Sequence, residues 1–370
     1  RKVATGVRNC MAVGGSDNFF WAGPQEGTWT PTSAIIEVKQ GEEYGLGGKG
    51  ISPPLCYVPR GIDNSTGGMK EITSNKWGPF QGSHVGLSYG SGTHYLILRD
   101  DTSTRPQGAI VPLEGNFLAG VMRGDFHPKD GQLYVVGLDG WGDYSIEDGC
   151  FHRVRYIGGK VRKPSGFKVH ANGIRIDFNN QLDPRWTSET EHYFAQAWNY
   201  EYAKRYGSPE FSAKFSDKLG HDRVKIRSVR LLDNRKSIFI EMPDLEPIMQ
   251  LYIRMHLLDI DGTEFKTDLF CSPMFPDKPY SMKGLAKPRK DKLSFVSLRV
   301  ASQESKKKLD YTGNIIEGER EINIDTLSGL KYSINLIEAK PNEALAIQLN
   351  NIDAMPHNLV IVEPGSTQKV

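Results

Sequence analysis

The sequence predicts an all-β, modular protein, with blade-like hairpins first, a β-sandwich next and the start of a third β domain last. Three observations predict it. Glycine and proline are abundant, 39 and 21 of 370 residues, as short strands joined by turns require. Residues 1–160 repeat one strand–turn–strand unit. Downstream, apolar and polar residues alternate with period two, which gives each strand one wet and one buried face.

In the first hairpin the apolar segments 10–13 and 19–22 flank the turn Gly14-Gly15-Ser16-Asp17-Asn18. The second joins residues 85–89 to 94–98 through Gly90-Ser91-Gly92-Thr93. The third joins 124–127 to 132–137 through Pro128-Lys129-Asp130-Gly131, where Pro sets φ and Gly accepts a positive φ. The spacing is near the blade period of a β-propeller. Three units do not close a ring, so further blades are expected from other chain.

At residue 160 the texture changes. Residues 161–169 are basic, carry Pro and Gly, and suit a linker. Period-two segments follow at 173–178, 224–229, 237–241 and 251–255, the grammar of a sandwich with Ile174, Ile176, Phe178, Val224, Ile226, Ile238, Ile240, Tyr252 and Met255 inward. Residues 189–206 are rich in Ala, Glu, Gln and aromatics; their neighbours favour a strand at 193–198 over a helix. The Pro- and Lys-rich stretch 273–308 reads as a solvated linker. Strands return at 332–336, 344–349 and 359–362.

Composition excludes several classes. Forty-six basic against 44 acidic residues leave a net charge of +2, no field for a polyanion such as nucleic acid. Mean hydropathy is −0.46, and no apolar run approaches the ~20 residues of a membrane span. Cys10, Cys56, Cys150 and Cys271 form no CxxC pair; they suit buried thiols, or two disulfides in an oxidising compartment. Residue 1 is Arg, and the chain opens and closes within strand-like text. It is expected to be part of a longer protein.

Two stretches carry a family resemblance. Asn350-Asn351-Ile352-Asp353-Ala354-Met355-Pro356-His357-Asn358-Leu359-Val360-Ile361 resembles the loop that delivers the first histidine ligand of azurin- and auracyanin-type cupredoxins. It implies an incomplete Greek-key domain with His357 as a copper ligand. The Cys, second His and Met of that family would lie further on, and no cysteine follows Cys271. Residues 3–157 resemble the later blades of glucose/sorbosone dehydrogenase-type propellers in secreted planctomycete and verrucomicrobial proteins. The resemblance rests on Gly6-Val7-Arg8-Asn9, Gln25-Glu26-Gly27-Thr28-Trp29-Thr30-Pro31, Pro54-Leu55-Cys56-Tyr57-Val58-Pro59-Arg60 with Asp63-Asn64-Ser65, and Val121-Met122-Arg123-Gly124-Asp125-Phe126.

In quinone-dependent members an Arg-Asn pair, a Gln-Gly pair and an Arg-x-Arg hold pyrroloquinoline quinone (PQQ), with calcium as the accompanying ion. The resemblance carries over Arg8, Asn9, Gly27 and Arg123 as cofactor-binding residues. Glu26 stands where the Gln belongs and Val121 where the first Arg belongs, which puts a negative charge in, and takes a positive one out of, a site for a tricarboxylate. The expected organisation is therefore a partial propeller at 1–160, an Ig-like sandwich at 161–285, a linker at 286–312 and a cupredoxin start at 313–370. The implied function is an extracellular or periplasmic redox-type protein, a sugar dehydrogenase-like propeller joined to a copper electron carrier and catalytically inactive over these residues. Sugar or polysaccharide and a redox partner protein are its expected partners. The rival is a non-catalytic carbohydrate-binding or interaction protein using the same folds as scaffold. The acidic residues 139–148 around Trp141 read as an Asp/Gly-rich loop, Asp259-Ile260-Asp261-Gly262 as a hairpin turn, and His84, His94, His127 and His152 as structural histidines.

Overall fold

Short strands followed by Gly-, Asp- and Pro-bearing turns fold back on themselves, and the structure, a computed structural model, is built from such returns. It describes residues 2–101, 105–139, 145–286, 299–300, 320–327, 331–334, 336–340, 343, 345–350 and 359. Among these, helix is confined to α1 (Pro184–Thr187) and two 3-10 turns, at Asn75–Phe80 and Thr190–His192. Among the described residues no helix is long and apolar enough to cross a membrane. Residues Arg1–Lys306 form one compact unit and Lys307–Val370 a second.

The first unit opens with three antiparallel meanders. β1 (Ala12–Ser16), β2 (Phe19–Gly23), β3 (Ala34–Glu37) and β4 (Cys56–Tyr57) pair in that order. β5 (Thr66–Glu71), β6 (His84–Ser88), β7 (His94–Asp100) and β8 (Gln107–Pro112) repeat the pattern. β9 (Gly120–Phe126), β10 (Leu133–Leu138) and β11 (Gly149–Val154) form the third. The first strands β1, β5 and β9 lie side by side. Glycine makes that approach possible: a Cβ on Gly14 would come within 2.6 Å of Met69 Cβ, and one on Gly67 within 2.1 Å of the Val121 carbonyl. Trp21, Leu55, Met69, Tyr95 and Ile110 fill the space between the first two meanders. On the outer face of the third, Val136, Leu138 and Phe151 are exposed.

The chain then adds β12 (Pro164–His170), β13 (Gly173–Phe178), β14 (Tyr193–Asn199), β15 (Glu201–Tyr202), β16 (Phe211–Ser212) and β17 (Asp222–Arg223). β18 (Ser228–Leu231), β19 (Ser237–Glu241), β20 (Gln250–Leu258), β21 (Glu264–Cys271) and β22 (Arg299–Val300) complete the unit. β12-β13-β19-β18 form one sheet. It packs on a second containing β16-β14-β20-β21, through Phe167, Ile174, Ile176 and Ile240 on one side and Ala195, Ile253, Met255 and Leu269 on the other. β21 also pairs with β8, Cys271 opposite Ala109 and Phe270 opposite Ile110. Hydrogen bonding and core therefore run continuously past residue 160.

The sandwich pattern is largely as read: Ile174, Ile176, Phe178, Ile238, Ile240, Tyr252 and Met255 are buried, and Val224 and Ile226 partly so. Tyr252 faces a different cluster from Ile253 and Met255, as period two requires. The strand reading of 193–198 matches β14. Three readings are corrected. Residues 161–169 are not a plain linker, because Pro164–His170 is β12, with Phe167 and Val169 buried and Lys168 between them paired with Asp277. Residues 224–229 are not one strand: β17 pairs with β14 and β18 with β19. Between them the Val224 N–H donates to Ala195 O and the Arg227 N–H to Glu241 O, so the segment crosses from one sheet to the other. The first hairpin turns through Asp17-Asn18 alone, with Ser16 opposite Phe19.

In the second unit, β23 (Arg320–Leu327) pairs antiparallel with β24 (Lys331–Tyr332) and parallel with β25 (Leu345–Asn350), Ile324 opposite Leu349. β25 matches the expected strand at 344–349. The expected strand at 332–336 reaches only Tyr332. β23 was not anticipated, although Ile322, Ile324 and Thr326 carry the period-two signal, with Ile324 and Thr326 buried. Strand 359–362 lies outside the described residues beyond Leu359.

Candidate functional site

The residues carried over by the propeller resemblance fall into two places. Arg8, in the segment leading to β1, reaches the turn after β2. Its Nη1 donates to Glu26 O at 2.7 Å and Gln25 O at 3.3 Å, and the Gln25 N–H returns a bond to Arg8 O. The guanidinium lies 5.3 Å from the centre of the Tyr206 ring. Gly27 completes the contact, because a Cβ there would sit 2.1 Å from Arg8 Cζ. Gly27 and Thr30 exchange backbone bonds of 2.9 Å in a tight turn. Asn9 has φ of 40°, a left-handed conformation that Asn tolerates better than most residues. Arg8, Asn9 and Gly27 thus stand together.

Arg123 lies on β9. Its Nη1 donates to Met122 O at 2.7 Å and Gly67 O at 3.4 Å, and its charge reaches the Cys10 thiol. Burial raises that thiol above its usual range, an effect that the Gly23 backbone bond and Arg123 partly offset.

The two departures from the family pattern have structural partners. Glu26 is buried, and its carboxylate takes both Nε (2.9 Å) and Nη2 of Arg60, a forked pair. That pair is the main cause of the raised pKa of Arg60. Val121 is fully buried in the main core. Sequence reasoning quoted Arg60 only as part of the family resemblance, with no role at the site, and did not single out Tyr206. Glu26 and Arg60 are 34 residues apart, and only the fold sets them side by side.

These residues do not fit PQQ. A tricarboxylate needs guanidinium donors aimed into open space. The Arg8 and Arg123 donors described above are turned to main-chain carbonyls, the guanidinium of Arg8 fills the space over Gly27, and the Glu26 carboxylate is committed to Arg60. Val121 supplies no charge.

The remaining candidates serve the fold. His84 lies against Phe19 and Trp21; His94 and His152 flank Phe117. Burial lowers His94 to about 4. His127 accepts from the Asp130 N–H. Asp259-Ile260-Asp261-Gly262 is the β20–β21 turn, with Gly262 at φ 86° and Asp259 paired with Arg162. Asp63, fully buried, accepts from Ser88 Oγ at 2.7 Å, Tyr95 OH at 2.8 Å and the Ser65 N–H at 2.9 Å; burial still pushes it up to about 6. Trp141, Asp143 and His357 lie outside the described residues. Among the described residues no group of three or more His, Cys, Asp or Glu could hold a metal ion.

No protein-family model matches the chain, and no curated protein matches it. Among solved structures it is similar to an oxidoreductase (glucose dehydrogenase) of Thermus thermophilus, at 15% identity and a TM-score of 0.32 over 41% of this chain and 46% of that one. It is also similar to the apo-form of the soluble aldose sugar dehydrogenase of Escherichia coli, at 15% identity and a TM-score of 0.29 over 41% of this chain and 46% of that one. The matched region spans about half the length of each of these proteins.

Proposed function

We propose that residues 1–306 are a non-catalytic binding scaffold of an extracellular or periplasmic protein, a partial propeller kept without the cofactor chemistry of the sugar dehydrogenases that residues 3–157 resemble. One observation carries this reading: the guanidinium of Arg8 occupies the space over Gly27 and is held there by Gln25 O, Glu26 O and Tyr206. The Glu26–Arg60 pair supports it, since it makes the acidic departure a structural element. The side-by-side first strands and the open apolar face of β10 and β11 suit blades awaiting a neighbour. The second unit is proposed as the start of a cupredoxin, in which a parallel pair such as β23–β25 has a place. Copper at His357 would need ligands from beyond residue 370, since one imidazole does not select copper over zinc or nickel.

The test adds PQQ and calcium to the purified chain. Dye-linked glucose oxidation should stay at the no-protein level, and the quinone should leave tryptophan fluorescence unchanged. Saturable, quinone-dependent turnover would overturn the reading.

A further inference from the structure

The three meanders end differently. β4 completes the first as a fourth strand and β8 the second, and β8 is paired again by β21. The third stops at β11, which among the described residues pairs with β10 alone. Its ladder shows which main-chain groups the open edge presents. The Asp139 N–H donates to Asp148 O. Counted on from that bond through an unbroken register, Gly137–Cys150, Val135–His152 and Leu133–Val154 are the hydrogen-bonded pairs. The N–H and C=O groups of Gly149, Phe151 and Arg153 therefore point away from β10, with no strand to meet them among the described residues. The same odd-numbered positions turn their side chains outward. Phe151 is 70% exposed, lies opposite the exposed Val136 and stacks on Tyr134 at 5.7 Å. Glu147 and Arg155, just beyond the two ends of β11, are both exposed. An open edge with neither Pro nor bulge, carrying an exposed aromatic, is a template for another strand.

We infer that β11 pairs antiparallel with β11 of a second copy of this chain, about a two-fold axis at Phe151, so that two three-stranded sheets become one. The inference goes beyond the scaffold reading and does not rest on it. The register follows from the edge itself. Centred on Phe151, the pairing sets Phe151 against Phe151 and Gly149 against Arg153, and so uses all three outward-pointing residues of both copies; a shift in either direction leaves some unpaired. The aromatic pair continues the row begun by Val136 on each copy. Arg153 falls opposite a residue with no side chain, which leaves room for its guanidinium. Two residues further out the same register sets Glu147 against Arg155, and the symmetry repeats that contact at the other end. Opposite charges that match only when the strand is reversed onto itself point to a second copy rather than to a uniformly acidic or basic peptide.

The experiment is sedimentation velocity of the full chain over a concentration series, which should show a reversible dimer. Arg153→Pro removes an outward N–H that the β10 ladder does not use, and should leave the chain monomeric. Arg155→Glu and Glu147→Arg each set like charges face to face at both ends, and each should raise the dimer dissociation constant about tenfold or more. The double variant Glu147→Arg, Arg155→Glu reverses the pairs and should restore the wild-type constant. That rescue is specific to this register, and it decides the question if Arg153→Pro does not fold. The inference is overturned if the wild type stays monomeric up to ~100 μM, if Arg153→Pro dimerises as the wild type does, or if the double variant associates no more tightly than the single ones. Turnover in the quinone test would leave the dimer untouched, and a monomeric chain would leave the scaffold reading as it stands.

Discussion

The Arg8 guanidinium lies so close to Gly27 that a methyl group on Gly27 would come within 2.1 Å of Arg8 Cζ. The Arg8 charge is folded onto the turn beside it, where it bonds Gln25 O and Glu26 O. Gly27→Ala should expel the guanidinium from that turn and break its bonds to Gln25 O and Glu26 O. We expect a loss of about 1–3 kcal/mol in urea unfolding, the usual cost of overpacking. An unchanged midpoint would mean that Arg8 is not held there.

The Glu26–Arg60 pair is asymmetric, with side-chain exposures of 4% and 54%. Arg60→Ala leaves the buried carboxylate without its partner and should cost roughly 2 kcal/mol, less than the ~3–5 kcal/mol of a fully buried pair because water reaches the arginine. Glu26→Gln should cost less than Arg60→Ala, since the remaining guanidinium can turn to solvent. The order is read from denaturation midpoints of both variants.

Gly67 decides how closely β5 meets β9. Gly67→Ala would drive a Cβ to 2.1 Å from the Val121 carbonyl and 3.0 Å from Leu87 O. Backbone atoms cannot swing aside as a side-chain tip can, so we expect a loss on the order of 2–3 kcal/mol. Hydrogen exchange should quicken in β5 and β9 rather than in β13 and β19.

Asp63 makes stability depend on pH. Burial raises its carboxyl from 3.8 to about 6. Between those values the native state keeps a proton that the unfolded chain has released. Its contribution is therefore complete below 3.8 and is lost as the pH rises through about 6. Asp100, also raised to about 6 by burial, acts in the same window. Asp63→Asn does not titrate, so its Tm should gain on the wild type as the pH rises from below 3.8 to above 6. A constant difference across that window would show that folding leaves the Asp63 carboxyl at its ordinary pKa.

The four cysteines are free thiols, with Cys10 exposed and Cys56 and Cys271 buried. Burial pushes Cys56 and Cys271 far above the usual thiol range. Ellman's reagent should therefore label Cys10 in the native protein and leave Cys56 and Cys271 until denaturant is added. Rapid native labelling of all four would show that the core around Ala109 opens.

The sequence by itself determined the β character, the three hairpins and most inward positions of the sandwich. These are local signals: Asp130-Gly131 names its own turn, and Ile174, Ile176 and Phe178 name their own face by period two. Period two also runs through residues 164–170, where the basic surroundings and the expectation of a linker hid it, and through 320–327, within the stretch expected to begin a third β domain but not singled out as a strand. Only the tertiary structure decided the rest, because it depends on residues far apart in the chain. It joined β8 to β21 across residue 160, split 224–229 between two sheets, gave Glu26 its arginine and closed Arg8 onto Gly27. It also left the carboxamide of Asn180 buried and unpaired. A motif states which side chains are present; where their charges and donors point is settled by what packs around them, and no spacing along the chain encodes that.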